Sequence, residues 1–382
     1  MKVAYLSSTG FADIDFSVIN AMKRKTDLHY FIIVSPTSLK ATAINIEKQY
    51  PAFGIFKADI YPEIEKFSDF IDLRKTYVVN ISNKKIKNIC IFIKLVLFLY
   101  KMNIDVVHVS SYNPILIFPL TFLHKKIVLT VHDPVPHSDV YHFRKDFIKR
   151  KMAFLFISKL IIFNENQKNE FIVKYKLQNK EVYVSKFGIY DYLHKYKIMP
   201  SKGVEDKGYI LFFGRITEYK GLDFLFPVMK TVNKKHNNIK LVVAGYCHDW
   251  YFDISEYEKC PFIEIKNKYI PDDELSILIQ NALFVVCPYT NATQSGVVMS
   301  SFAFNTPVLA TDTGGLPEYV EHMKSGYIVQ PKNIDELTGG INYLLDNMDL
   351  LNMQREYIKD KYNKGDNSWS EITNNIIAFY KK

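Results

Sequence analysis

Cysteine is scarce in this 382-residue sequence: Cys90, Cys247, Cys260 and Cys287 are the only four, with no CxxC pair and no Cys/His metal spacing. That excludes a disulfide-stapled scaffold and a structural zinc site, and it fits reduced thiols in the cytosol. Long apolar runs are missing too. The greasiest stretch, ICIFIKLVLFLY at Ile89–Tyr100, is shorter than the ~18–20 residues a membrane span needs and contains Lys94. A buried helix is expected there, with docking at a membrane interface as the alternative. MKVAYLSSTG has only a short apolar run before polar residues, so no signal peptide is expected. No repeat of roughly 20–50 residues recurs, which argues against a solenoid.

What is present fits a folded protein, with 48% hydrophobic and 23% charged residues. The length exceeds one ordinary core and favours two domains of about 180 residues each. Charge is placed unevenly. Residues 1–190 hold 28 Lys and Arg against 16 Asp and Glu, a net of +12, while the remainder holds 21 against 24. An anionic partner is therefore expected on the first half, with scattered solubilising lysines as the plain alternative.

Short β-branched runs alternate with longer helical patterns, which predicts α/β architecture with parallel sheets. The strand candidates of the first half are KVAYLS, HYFIIVS, DVVHVS, KIVLTV and KLIIF. In the second half they are YILFFG, IKLVVAG, ALFVVCP, TPVLAT and GYIVQ. Turn-forming and charged residues interrupt this rhythm in GIYDYLHKYKIMPSKGVEDKG, residues 188–208. The expected division is a domain over 1–190, a linker over 191–207, a second domain over 208–364 and a final helix over 365–382 that crosses back to the first domain. Trp369 would anchor that crossing.

Ligand loops in open α/β sheets follow the C-terminal ends of strands. ILFFGRITEYKGLDFL, residues 210–225, fits that rule: a strand ends at Gly214, Arg215 follows, and Lys220-Gly221 opens a helix. Arginine offers a bidentate fork to a diphosphate and lysine a point charge, while Gly214 and Gly221 allow close backbone approach. Spacing alone leaves a solvated turn equally open.

FFGRITEYKGLD resembles the F-x-G-R…K-G signature of glycosyltransferase family 4. IPDDELSILIQNALFVVCPY and NTPVLATDTGGLPEYVEHMKSGYIV resemble further motifs of that family, in its order, across most of residues 205–331. DVVHVSSYNP and LTVHDPVPH are similar to its weaker first-domain motifs. The resemblance implies a GT-B fold, two Rossmann-like domains facing a central cleft, and a retaining glycosyltransferase. The donor would be a UDP- or GDP-linked sugar. Arg215 and Lys220 would bind its diphosphate and His132 would face its sugar from the other domain. Gly314 and Gly315 permit a tight turn, after which Glu318 caps a helix or touches the ligand.

One stretch departs from the pattern. ATQSGVVMSSFAFNTPV, residues 292–308, carries no charge, and Ala292 and Ser300 stand where the family usually has two glutamates. It resembles a subset of the family in which an A-T-Q-S-G-V loop replaces the first acid. Backbone N–H groups of Thr293, Gln294, Ser295, Gly296 and Val297 at a helix start would serve a phosphate without side-chain charge. Gln294 and Ser300 would hydrogen-bond sugar or ribose hydroxyls. Helix capping by Thr293 or Ser295 is compatible with this.

Asp13 and Asp15 form a D-x-D pair, but in the first strand–helix loop, so no metal is expected; the two acids and His137 are candidates for the acceptor side. FRKDFIKRKMAFLFISKLIIF, residues 143–163, is basic and apolar at helical spacing and suits an anionic lipid surface or a core-facing helix with snorkelling lysines. The expected acceptor is a glycan or polyprenyl-diphosphate-linked glycan of cell-surface polysaccharide assembly, reached by a cytoplasmic, peripherally membrane-bound enzyme. No nucleic-acid motif occurs. A nucleotide-sugar epimerase of the same shape and a non-catalytic partner of another transferase are the rival readings.

Overall fold

A computed structural model describes residues 1–36, 43–47, 53–110, 113–123, 125–135, 143–197, 208–292 and 295–382. All ten runs named above are strands, because β-branched and aromatic residues suit a pleat that is covered on both faces. The chain divides into two compact units, residues 1–187 with 369–382, and residues 188–368.

The first unit contains β1 (Lys2–Ser8), β2 (Asp27–Val34), β3 (Gly54–Lys57), β4 (Thr76–Asn80), β5 (Val106–Val109), β6 (Lys126–Thr130), β7 (Lys159–Ile162) and β8 (Glu181–Val184). Its helices are α1 (Ala12–Met22), α2 (Pro62–Glu65), α3 (Lys85–Lys101), α4 (Pro114–Leu120), α5 (Phe143–Leu155) and α6 (Lys168–Tyr175). The sheet order is β3-β4-β2-β1-β5-β6-β7-β8, parallel except for β3. Parallel neighbours need crossover connections, and these place α3, α4, α5 and α6 where Ile91, Leu95, Leu116, Phe154 and Phe171 share one buried cluster.

The second unit contains β9 (Tyr209–Phe213), β10 (Lys240–Ala244), β11 (Ile263–Lys266), β12 (Ala282–Cys287), β13 (Val308–Thr311) and β14 (Gly326–Val329). Its helices are α7 (Leu222–Lys235), α8 (Ser255–Glu258), α9 (Asp272–Asn281), α10 (Gly296–Ala303), α11 (Leu316–Tyr319), α12 (Ile334–Asp346) and α13 (Met348–Asn363). The sheet is wholly parallel in the order β11-β10-β9-β12-β13-β14. The last helix, α14 (Trp369–Lys381), belongs to the first unit and packs on α1. Trp369 is buried at its start.

Two local outcomes differ from the sequence reading. Asp191–Tyr196 is a 3-10 helix packed on α9 and α10, so the first residues of the expected linker are part of the second unit. Ile89–Tyr100 lies within α3, but only one side of that helix is buried. Ile91, Phe92, Leu95 and Leu99 face the core while Ile93, Leu97 and Tyr100 stand exposed. Among the described residues no helix is long and apolar enough to cross a membrane.

Candidate active site

From β9 the second sheet grows one way through β10 and β11 and the other way through β12, β13 and β14. The point where the order reverses, between β9 and β12, is where open α/β sheets leave room for a ligand at the strand ends. The loops after these two strands are locked together by backbone. Gly221 has φ +71°, and a Cβ there would lie 2.1 Å from the Pro288 carbonyl oxygen. The Thr290 N–H donates to the Tyr219 carbonyl at 2.7 Å.

Gly214, with φ +101°, is bare where Lys220 and α10 meet it. A Cβ on Gly214 would sit 2.8 Å from Lys220 Nζ and 3.5 Å from Val297 Cγ2. The ammonium of Lys220 and the first turn of α10 therefore converge on one stretch of bare backbone at the end of β9. Arg215, the next residue, is exposed. The positive end of α10 carries no acidic residue in its first turn, and Ser295 precedes it as an N-cap without a side-chain cap bond.

Lys220 is only 7% exposed, and its Nζ lies 5.4 Å from the centre of the Tyr289 ring. Burial pushes its ammonium down to about 8, and the Arg215 guanidinium pushes the same way. Cys287 stands nearby, but burial holds that thiol up at about 12, so at neutral pH it lends no negative charge. Among the described residues no carboxylate pairs with Lys220. A buried cation without a counter-ion is costly unless something anionic arrives.

The rest of the predicted set falls in several places. Gly314, at φ +54°, lets the loop after β13 cross the loop after β12, because a Cβ there would be 1.5 Å from the Ala292 carbonyl oxygen. Glu318 follows, half-buried, in α11. Ser300 is buried in α10, one turn beyond Val297. Asn305, in the turn between α10 and β13, takes the left-handed conformation at φ +56°. Thr293, Gln294 and His137 lie outside the described residues.

In the first unit His132 follows β6 and stacks on Phe11 of the loop after β1, with ring centres 4.0 Å apart and planes at 11°. Phe163 packs beside it at 5.7 Å. Both ring nitrogens are buried with no partner among the described residues, and burial pushes the imidazole down to about 3. It is a neutral ring that holds one N–H and one lone pair in reserve. Asp13, half-buried, accepts the Ile14 N–H at 3.0 Å. Asp15 is wholly buried and accepts from Tyr5 Oη at 2.9 Å and Tyr30 Oη at 3.3 Å. Burial raises its carboxyl to about 7, and the fold holds it inside the unit.

Sequence reasoning missed Tyr289, which walls Lys220, and Gly245, whose Cβ would lie 2.0 Å from the Gly214 carbonyl oxygen. It also missed Tyr251, whose hydroxyl accepts the Leu222 N–H at 3.1 Å and donates to Asp223 at 3.1 Å, fixing the start of α7. The Pro-Tyr after VVC and the Gly after LVVA were visible as strand-end residues, but only the fold shows what they touch.

Residues 195–361 match the family described as Glycosyl transferases group 1. The matched stretch lies within the second unit, residues 188–368. An uncharacterized glycosyltransferase of Methanocaldococcus jannaschii is 32% identical over 188 residues, covering 46% of this chain and 45% of the relative. The chain thus spans about half or less of the length of the curated relatives it matches. Over its full length the fold is similar to HepE of Anabaena in complex with UDP, at TM-score 0.71, 14% identity and 100% coverage of both chains. Sucrose-phosphate synthase of Thermosynechococcus elongatus is similar at TM-score 0.65 and 14% identity, over 100% of this chain and 98% of that one. The fold is the GT-B fold that the motifs implied.

Proposed function

We propose that this chain is a retaining glycosyltransferase that moves a sugar from a UDP- or GDP-linked donor to a glycan or polyprenyl-diphosphate-linked acceptor in cell-surface polysaccharide assembly. It works on the cytoplasmic side, with its basic first half towards an anionic membrane. The observation that carries the reading is Lys220, a buried ammonium with no carboxylate partner among the described residues, set against bare backbone at Gly214 and the positive end of α10. A diphosphate supplies the charge this arrangement lacks. UDP bound to HepE of the same fold supports the choice of anion.

In the proposed reaction the bond between the anomeric carbon and the diphosphate oxygen breaks, and its electron pair stays on that oxygen. The acceptor hydroxyl oxygen bonds to the anomeric carbon from the same face, and its proton passes to the leaving diphosphate. Arg215 and Lys220 stabilise the charge that builds up there, as preorganised cations do. No catalytic carboxylate is required, so a neutral loop at residues 292–308 is compatible with catalysis. Ser295, Gly296 and Val297 offer backbone N–H groups to the donor, with Thr293 beside them. Gln294 and Ser300 take over hydrogen bonds to sugar and ribose hydroxyls, and Glu318 completes the donor side. Neutral His132 bonds a hydroxyl of the transferred sugar. Asp13 and His137 are assigned to the acceptor. Asp13 and Asp15 lie in the first turn of α1 and not in the preceding loop, and Asp15 holds that turn from within through Tyr5 and Tyr30.

Calorimetry with UDP, GDP and ADP, followed by a screen of nucleotide sugars for transfer or hydrolysis, tests the assignment. Arg215→Ala and Lys220→Ala should each lower transfer by about 10²–10³-fold with the fold intact. Activity within about threefold of wild type, under ~0.7 kcal/mol in barrier, would remove them from the diphosphate role. No binding of any nucleotide would sink the catalytic reading.

A further inference from the structure

Eleven of the 21 large apolar side chains that stand exposed among the described residues lie on three consecutive helices, α3, α4 and α5, and the turns that follow them. On α3, Ile86, Ile89, Ile93, Leu97 and Tyr100 are exposed. Their spacing of three, four, four and three residues draws one stripe along the helix, opposite the stripe that faces the core. On α5, Ile148, Met152 and Leu155 repeat the pattern. Between them Phe118 and Phe122 project from α4 and its following turn. Phe118 touches Phe122 at 5.5 Å and Phe156 at 5.2 Å, which makes the apolar surface continuous from α4 to α5. A soluble surface rarely leaves so much adjoining apolar area bare without a partner for it.

The charge around this surface has one sign. Lys87, Lys94 and Lys101 recur every seven residues and form a row along one flank of the α3 stripe, and α3 contains no acidic residue. Lys149 and Lys151 flank the α5 stripe and are exposed. None of these five lysines forms an ion pair among the described residues. The acid of α5, Asp146, is taken up by Arg150 at 2.6 Å. A second copy docking face to face would bring the same lysines against each other. An apolar stripe flanked by unpaired lysines instead matches the boundary between anionic headgroups and acyl chains.

We propose that the outer face of α3, α4 and α5 is a membrane-docking surface. Its apolar side chains enter the interfacial layer of an anionic bilayer and its lysines engage the lipid phosphates. This deepens the proposed function by naming the surface, and it requires no span. It also gives a use to part of the basic excess of the first half and to the second apolar side of α3.

Flotation of the full chain with vesicles of roughly 3:1 phosphatidylcholine to phosphatidylglycerol tests it, with pure phosphatidylcholine as the comparison. Wild type should float with the anionic vesicles and, at least tenfold less, with the neutral ones. The double variants Ile93→Glu/Leu97→Glu and Met152→Glu/Leu155→Glu sit on separate helices at exposed positions. Each should lose flotation at least tenfold while keeping the wild-type melting temperature and UDP affinity. Lys87→Gln/Lys94→Gln/Lys101→Gln should shift binding to lower salt. Wild type that stays with the pellet, or glutamate variants that both float as wild type does, would overturn the surface. So would a wild-type dimer in light scattering that either glutamate pair converts to monomer, because the occupant would then be a second copy. Flotation reads lipid alone, so a chain that floats normally but binds no nucleotide fails the transferase reading and not this one.

Discussion

Lys220 shows how a fold prepares a cation for an anion. Its ordinary ammonium would titrate far above neutrality, yet burial and Arg215 bring it down to about 8. Its charge is therefore complete below that value and lost as pH rises through it. A bound diphosphate favours the protonated form and lifts the group back towards its ordinary range, so binding above pH 8 must take up a proton. Affinity for UDP should consequently weaken above about pH 8, by at most about tenfold per pH unit. Lys220→Arg, which keeps its charge, should show a flatter profile across the same range. Titration calorimetry in buffers of different ionisation enthalpy reads both the affinity and the proton uptake; a wild-type profile as flat as that of the variant would refute the linkage. Arg215 and Lys220 were candidates from their place after a strand, and His132 only through the family resemblance. Tyr289 was not. Its part in burying Lys220 depends on where β12 lies relative to β9.

At the scale of elements, ten of the fourteen described strands were read from the sequence. Of the four that were missed, β3 (GIFK), β8 (EVYV) and β11 (IEIK) each carry a charged residue in a run of four, while β4 (TYVVN) has no such feature to explain the miss. Three of these four lie at sheet edges, where one side needs no covering and the apolar signal thins. The helical period likewise revealed that α3 is apolar, but not that two opposite sides of it are. Backbone crossings were the least legible elements, since glycine in sequence does not say what it approaches. Gly314 gives the sharpest test of one such crossing. Alanine there would meet the Ala292 carbonyl and a left-handed φ together, whereas a methyl added at Gly339 in α12 would have nothing within 4 Å of it. Gly314→Ala should cost at least about 2 kcal/mol in denaturant unfolding and weaken UDP binding. Gly339→Ala should be neutral or stabilise by up to about 1 kcal/mol. Equal effects of the two would mean that the crossing does not shape the site.

For the molecule as a whole, the first unit is assembled from two distant parts of the chain, and a lysine-rich seam holds the later part in place. Lys126 Nζ donates to the Lys381 carbonyl at 2.9 Å, and Lys159 Nζ to that of Phe379 at 3.4 Å, over whose ring it also sits at 4.6 Å. Both cations thus meet the negative end of α14. At the other end Lys25 Nζ reaches Asn374 Oδ1 at 2.7 Å. The centre of the seam is polar and buried. Tyr380 Oη bonds His108 Nδ1, whose Nε2 meets Thr130 Oγ1 at 2.6 Å, and burial holds that imidazole down at about 3. Part of the basic excess of the first half therefore has a structural use, which a charge count could not separate from partner binding. Tyr380→Phe keeps the ring but leaves a buried ring nitrogen unsatisfied, and should cost about 1–3 kcal/mol. Removing residues 369–382 should go further, abolishing the first unit's melting transition because the face of α1 that carries Met22 loses its cover. Calorimetric scans with and without UDP separate the units: the transition that UDP raises should persist in the truncated chain, and the one that UDP leaves unchanged should vanish. If both transitions survived, α14 would be an appendage of the first unit, not part of its core.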